Sequence, residues 1–219
     1  MAIDLLWMIV ERMAVSKRLV LDSSATDARF RDTRARILNA ARQEIVAHGV
    51  SGARINRIAE AAGTSKERIY SYFRSKTDLV EAVARERMLL MQQAVPFDAY
   101  NLVGYVGALV DFLEAHPDDV RLSHWFALER DADTGKDPIA GSLKDRTIAV
   151  GKAQTQGFVD VTWEPLTLLN LLMGIAMAWA TAPLFVHRLD AGEQAPAATR
   201  RAAAEEAARR LVQWGFNVS

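Results

Sequence analysis

The chain has 219 residues, half of them hydrophobic, which is enough to bury one or two apolar cores. It contains no cysteine, and this excludes a disulfide framework, a thiolate metal site and a cysteine nucleophile. The 27 basic and 27 acidic residues cancel, and a net charge of zero taken alone argues against nucleic-acid binding.

The charges, however, are unevenly distributed along the chain. Residues 29–80 hold eleven Lys or Arg and five Asp or Glu, which leaves 16 basic and 22 acidic residues for the remainder. A basic N-terminal block joined to an acidic body is typical of a domain that binds DNA beside one that does not.

Residues 1–28 are predicted to form a loosely ordered leader. The apolar run 5–10 has no basic region before it and is too short for the core of a signal peptide. Two alternatives stay open: this run could form a short helix that packs on the body, or residues 1–12 could come from an over-extended gene start, because Met13 opens a polar stretch.

The first predicted helix runs from Asp32 to His48, with an apolar face at Ile37, Ala41 and Ile45. Gly49 is expected to end this helix, because glycine readily adopts a positive φ.

A short helix is predicted over 55–62, where the apolar residues fall on one stripe, and Gly63 begins a tight turn. A second short helix follows, in which Ile69 and Phe73 are four residues apart and can face inward. Two short helices joined by a glycine-containing turn make a helix-turn-helix. The side chains left to project outward are mostly polar, as reading a major groove requires: Glu67, Arg68, Tyr70, Ser71 and Arg74.

The stretch 37–79 resembles the N-terminal DNA-binding domain of TetR-type (tetracycline-repressor-like) transcriptional regulators. The resemblance rests on the apolar scaffold 55–63, on Tyr70-x-Tyr72-Phe73 and on Ser75-Lys76 at the start of the next helix. It implies an all-α protein with a three-helix, helix-turn-helix DNA-binding domain over 29–80. The C-terminal helical bundle over 81–219 would then bind a ligand and dimerise.

Two departures from the family pattern concern the DNA contacts. Arg54 stands where the family usually has a Ser or Thr that caps the second helix, although a guanidinium can still bind a phosphate. Glu67 and Arg68 stand where small residues are common in the family. The operator sequences of family members therefore cannot be assumed for this chain. The expected DNA-contacting residues are Arg54, Ser65, Lys66, Glu67, Arg68, Tyr70, Ser71, Tyr72 and Lys76.

Ser75-x-x-Asp78 predicts a capping-box-like start for a helix that runs to about Gln93, and Pro96 ends the pattern. Further helices are predicted over 100–116, 118–130, 139–156, 164–182 and 199–214, with polar loops over 131–138 and 190–196.

The stretch 166–186 contains no charged side chain, so a membrane span is one interpretation. Polar residues and a proline lower the hydrophobicity of this stretch. They favour instead a helix with one side buried in its own domain and the other side buried against a partner subunit. The resemblance implies a homodimer through 164–182 and 199–214, without a membrane and in the cytoplasm.

No catalytic motif or metal-ligand spacing is found, and no cofactor is expected. A ligand pocket is the better-supported site, because apolar side chains with a few polar ones recur on helices expected to be neighbours. The alternative is that these residues are ordinary core. The candidates are Phe112, His124, Trp125, Phe126, Glu129, Asn170, Met173 and Met177.

The sequence therefore predicts a homodimeric repressor that binds a near-palindromic operator in double-stranded DNA and is released by a small apolar effector. Two rivals stay open: a helical-bundle enzyme with a vestigial DNA-binding fold, and a DNA-binding protein, free or membrane-tethered, that takes no ligand.

Overall fold

The computed structural model describes residues 29–129, 140–182 and 197–213 and is all-α over these ranges, as the sequence predicts. The predicted leader and both predicted polar loops lie outside the described residues. The helices, in chain order, are α1 (29–52), α2 (Ile55–Ala61), α3 (Lys66–Tyr72), α4 (Lys76–Ala94), α5 (Leu102–Ala115), α6 (Pro117–Glu129), α7 (Ala140–Thr155), α8 (Pro165–Met177) and α9 (Ala197–Val212).

Helices α1 to α4 pack around a first apolar core. Ile37 and Ile45 of α1 are fully buried, and Ile69 and Phe73 join them, as their four-residue spacing predicts. Truncation of such side chains to alanine typically costs about 2–5 kcal/mol. Because a two-turn helix is not stable alone, this burial fixes the position of α3.

Helix α1 is longer than the predicted 32–48. It begins at residue 29 and continues to residue 52, although Gly49 has the predicted positive φ, +76°. The glycine changes the direction of the chain without ending the helical hydrogen bonding. One further turn follows, closed by a bond of 3.1 Å from the Ala53 N–H to the Gly49 carbonyl.

Serine side chains begin α3 and α4. The Ser65 hydroxyl accepts a hydrogen bond from the Arg68 N–H, and the Ser75 hydroxyl accepts one from the Asp78 N–H, both at 3.1 Å. The start predicted for α4 is therefore confirmed. In a capping box, the side chain at the third helical position accepts a hydrogen bond from the N–H of the cap residue itself. Here the Asp78 carboxylate, which is shorter than a glutamate, accepts instead from the N–H of Arg74, one residue before the cap, at 2.9 Å.

Helix α5 is the centre of a second apolar core, against which α8 and α9 pack. One apolar face of α5 is buried: Tyr105, Leu109, Phe112 and Leu113. A Cβ added at Gly107 would meet the Glu205 side chain of α9, which would have to move aside.

Ion pairs run along the contact between α5 and α9. Arg200 Nε lies 2.6 Å from a Glu114 oxygen, and Arg201 pairs with Asp111. Partly exposed pairs of this kind contribute about 0–1 kcal/mol each. The apolar core therefore supplies most of the stability, and the pairs fix the register of α9 on α5.

Helix α8 ends at Met177, five residues before the end predicted for the helix 164–182. Beyond it the hydrogen bonding is irregular: the Ala178 N–H bonds the Ile175 carbonyl, three residues back, at 3.2 Å, whereas the Thr181 N–H bonds the Met177 carbonyl, four residues back, at 3.0 Å. Pro183 follows in the sequence and disfavours the α conformation at the residue before it. Across 29–129, 140–182 and 197–213, no helix has both the length and the apolar character needed to cross a bilayer.

Helix α6 contributes to both cores. Val120 is buried in the second core, whereas Leu122 is buried in the first, where Trp125 and Phe126 also pack. Helix α6 therefore packs both on the first core, formed by α1 to α4, and on the second core.

Two ion pairs also connect the first turn of α6 to α1 and α4. Arg42 of α1 lies 2.8 Å from an Asp118 oxygen. Arg87 of α4 bonds both oxygens of Asp119, at 2.8 and 2.6 Å. Both arginine side chains are only about one-fifth exposed, so these pairs are screened less by water than surface pairs are.

Candidate nucleic-acid interface

The outer face of α3 is polar and open to solvent. With Ile69 and Phe73 held in the first core, the polar side chains between and before them point away from it. The exposed residues of α3 are Lys66, Glu67, Arg68, Tyr70 and Ser71, and the tyrosine is 43% exposed. This face offers hydrogen-bond donors for phosphates and long polar side chains for base edges.

Two of the small polar residues are engaged in local hydrogen bonds. Ser65 accepts from the Arg68 N–H as the cap of α3, and the Ser71 hydroxyl donates to the Arg68 carbonyl at 2.7 Å. These bonds fix the backbone that carries Arg68 and leave its guanidinium exposed.

Glu67 is held in its charged form. Hydrogen bonds from its own backbone N–H and from the Ser65 hydroxyl lower the pKa of the Glu67 carboxyl. A carboxylate at this position can accept a hydrogen bond from the N4 amino group of cytosine, whereas Arg68 beside it suits the two acceptors of guanine.

The start of α2 is supported by a residue that the sequence did not indicate. Arg54 occupies the N-cap position of α2, and its side chain makes no capping bond. Its backbone N–H instead donates to the Glu44 carboxylate of α1 at 3.0 Å. The Arg54 side chain is exposed at the start of α2 and available to a phosphate.

Glu44 also binds Arg57, whose Nε donates to the same carboxylate oxygen at 2.7 Å. Burial alone raises the pKa of Glu44, but the hydrogen bonds from Arg57 and the Arg54 N–H, with the charge of Arg57, lower it below the ordinary 4.5. Arg57 further donates to the Gly52 carbonyl at 2.9 Å, so it supports the turn before α2.

Lys76 connects the start of α4 to the turn between α1 and α2. Its Nζ donates to the Ser51 carbonyl at 3.1 Å. An ammonium group has three donors, so this bond orients the charge at the first turn of α4, where backbone N–H groups also favour an anion.

Tyr72 is the exception among the expected base-contacting residues. Its ring stacks on Phe30 of α1 at a centroid distance of 4.3 Å, and its buried hydroxyl has no hydrogen-bond partner among the described residues. Tyr72 lies three residues after Ile69 and therefore on the same inward face of α3. The structure does not place it among the exposed side chains that could meet bases.

The residues expected to form one ligand pocket are divided between the two cores. Phe112 of α5 stacks on His116 in the second core, and Met173 and Met177 of α8 pack there as well. Trp125 and Phe126 of α6 pack against the first core instead. Among the described residues, the expected set therefore falls in two clusters of buried side chains, because α6 contacts both.

The polar members of the expected pocket lie outside the cores. Asn170 is exposed on α8, and His124 is exposed on α6 with its Nδ1 2.8 Å from the Val120 carbonyl. Glu129 is the last residue of α6, and its side chain falls outside the description.

The outer face of α8 remains apolar where the chain itself does not cover it. Leu168 and Leu172 are buried in the second core, whereas Leu166 and Leu171 are 45% and 37% exposed. Exposed leucines that alternate with polar residues on a helix are compatible with a subunit contact.

Comparisons with known proteins agree with this geometry. Residues 37–83 match the family described as "Bacterial regulatory proteins, tetR family", and residues 101–210 match "Tetracyclin repressor-like, C-terminal domain". The chain is 33% identical over 184 residues to the HTH-type transcriptional repressor SCO4008 of Streptomyces coelicolor, an alignment that covers 82% of this chain and 95% of that protein.

Solved structures show the same fold. The crystal structure of SCO4942 from Streptomyces coelicolor, assigned as a transcriptional regulator, is 37% identical with a TM-score of 0.73, over 82% of this chain and 98% of that one. FadR from Bacillus subtilis, crystallised with stearoyl-CoA, is 15% identical with a TM-score of 0.58, over 83% of this chain and 99% of that one.

Proposed function

The chain belongs to the TetR family of bacterial DNA-binding transcriptional regulators, and from that premise we propose that it is a homodimeric repressor, released from a near-palindromic operator by a small molecule. The family consists of regulators rather than enzymes. Repression is favoured because the relative SCO4008 is a transcriptional repressor.

The proposed DNA-binding mode rests on the exposed polar face of α3, whose orientation is fixed by the buried side chains of Ile69 and Phe73. In the proposed complex, the α3 helices of two subunits enter successive major grooves, about one helical turn apart. Arg54, Tyr70 and Lys76 bind phosphates. Glu67 and Arg68 meet base edges, with Ser65, Lys66 and Ser71 at the margin of the contact.

Selection of binding sites from random duplex DNA tests this reading mode. The wild-type protein should enrich two inverted half-sites, as expected of a dimer with two-fold symmetry. Arg68→Ala should relax the preference at one position of each half-site, at a cost of about 1–3 kcal/mol if that base is guanine. The matched control is Arg121→Ala, since Arg121 is an exposed arginine on α6.

Two results would contradict the proposal. One is a wild-type protein that enriches no sequence. The other is an Arg68→Ala variant with an unchanged base preference, which would remove Arg68 from the reading face.

The outer face of α8 supports dimerisation, with α9 beside it. Leu166 and Leu171 would be covered by the same helices of a second subunit. Dimerisation also explains why the uncharged stretch 166–186 need not enter a membrane, because a partner subunit can cover the side that its own domain leaves open.

The role of α6 supports ligand release. A ligand that repacks the second core around Val120 would also move Leu122, Trp125 and Phe126, which pack on the DNA-binding half. The structure of Bacillus subtilis FadR with stearoyl-CoA supports a small-molecule site within this fold. Such a ligand changes DNA affinity only to the extent that it binds one arrangement of the two halves better.

Thermal-shift screening followed by DNA competition tests ligand release. Compounds that raise the melting temperature should also weaken binding to the selected operator, because they stabilise the arrangement that does not fit it. If stabilising compounds leave operator affinity unchanged, the repressor is not ligand-released, and the alternative of a regulator without an effector is favoured.

A further inference from the structure

Arg146 of α7 is a partly buried cation without a carboxylate partner in the part of the chain that the structure describes. Its Nη1 donates to the Tyr105 hydroxyl at 2.6 Å. The guanidinium carbon lies 5.2 Å from the ring centroid of Phe97 and 5.7 Å from that of Tyr105. By contrast, the partly buried Arg42 and Arg87 each pair with an aspartate.

The donors of this cluster are not all used. A guanidinium has five N–H donors, and within the described residues the only hydrogen bond of Arg146 is the one to Tyr105. The Tyr105 oxygen accepts that bond, so its own proton can be donated elsewhere. Burial raises the pKa of the Tyr105 hydroxyl more than the charge and hydrogen bond of Arg146 lower it, so the hydroxyl keeps its proton. Two donors 2.6 Å apart can therefore act on one acceptor group.

A carboxylate fits these donors better than a phosphate does. One guanidinium balances the single charge of a carboxylate, whereas a phosphate would bring excess negative charge into a partly buried site. The surroundings are apolar, since Phe97 and Tyr105 form the ring contacts. Leu143, three residues before Arg146 and so on the same side of α7, is 38% exposed.

We propose that Arg146 and Tyr105 bind the carboxylate of an apolar monocarboxylic acid, which is the effector of this regulator. This inference rests on the ligand-released function proposed above and names the chemistry of the ligand. This site does not use Asn170 or His124, the exposed polar residues expected in the pocket.

Calorimetric titration of the full-length protein tests the site, with octanoate, phenylbutyrate and the neutral amide of each acid as probes. At least one acid should bind the wild-type protein about tenfold more tightly than its amide. Arg146→Met should abolish this preference. Lys144→Met is the matched control, because it removes an exposed cation from the same helix, and it should leave the preference unchanged.

The proposal is overturned if neither acid binds the wild-type protein, if acid and amide bind equally, or if Arg146→Met binds the acids as tightly as the wild type does. Should Arg146→Met fail to fold by circular dichroism, Arg146→Lys and Tyr105→Phe replace it. Each should weaken the preference for the acid, and an unchanged preference in both overturns the proposal.

Operator binding, measured in parallel, separates this proposal from the proposed function. Acids that bind through Arg146 but leave the operator complex intact would support the site and contradict ligand release. Release by another compound, with no binding of either acid, would support ligand release and overturn the site alone.

Discussion

Replacement of Glu44 by glutamine should lower the free energy of unfolding by about 1–2 kcal/mol near neutral pH. The Glu44 side chain is only 10% exposed, and one oxygen accepts from both the Arg54 N–H and Arg57 Nε. Glutamine keeps an acceptor in the same place and loses only the charge. Hydrogen bonds to charged groups contribute about 1.5–3 kcal/mol and neutral ones about 1 kcal/mol, so the charge adds about 0.5–2 kcal/mol for each bond. For the two bonds together this gives about 1–4 kcal/mol, and the expected loss is in the lower half of that range.

The effect of Glu44→Gln should depend on pH. The pKa of Glu44 is lowered in the folded protein, so the stability that its charge contributes is fully present above the ordinary pKa of 4.5. This contribution is lost as the pH falls through the folded pKa, because protonated Glu44 then resembles glutamine. The difference between wild type and variant should therefore shrink below about pH 4.5.

Urea unfolding followed by circular dichroism, at one fixed protein concentration, measures the difference at each pH. Glu60→Gln is the matched control, because Glu60 is an exposed carboxylate on α2, and its effect should stay within about 0.5 kcal/mol. A Glu44→Gln difference that is constant from neutral pH into acid would refute the assignment of this stability to the Glu44 charge.

Three further predictions concern DNA, assembly and the attachment of α6. Lys76→Ala should weaken DNA binding on all sequences alike and reduce the salt slope by about one; an unchanged slope in a salt titration would remove Lys76 from the phosphate contacts. Leu171→Glu should give folded monomers by light scattering, whereas Leu172→Glu, at a position 1% exposed, should not fold; a dimeric Leu171→Glu would place the interface elsewhere. Asp119→Leu should cost about 3 kcal/mol in urea unfolding, because Arg87 loses its partner. Adding Arg87→Met should recover most of this loss, and a double variant as unstable as the single one would contradict this account.

Local periodicity predicted the helices well, because the spacing of apolar residues and the capping serines act over a few residues. Ser75 begins α4 and Ile69 is buried, as expected. The same periodicity also places Tyr72 on the inward face, three residues after Ile69. The expectation that Tyr72 meets bases came from the family resemblance, and here the local pattern was the better guide.

Contacts between distant segments could not be predicted from the sequence. Glu44 lies ten residues before Arg54, on another helix, and no spacing rule indicates that its carboxylate accepts from the start of α2. The pairing of Arg146 with Tyr105 joins residues 41 apart, and it too depends on how the helices pack. Such contacts depend on how the helices pack, and the proposed carboxylate site at Arg146 and Tyr105 is one of them.

The division of α6 between two cores changes what an effector must touch. Trp125 and Phe126 were expected to line a pocket, yet they pack on the DNA-binding half. Their position makes them part of the connection between the two halves. A ligand near Arg146 would lie against α5 and α7, and α5 is followed directly by α6. A displacement of α5 would act on Asp118 and Asp119, whose arginine partners lie in α1 and α4. If α6 has one position in the DNA-bound protein and another in the released protein, the ligand can change DNA affinity only by the difference between its affinities for these two states.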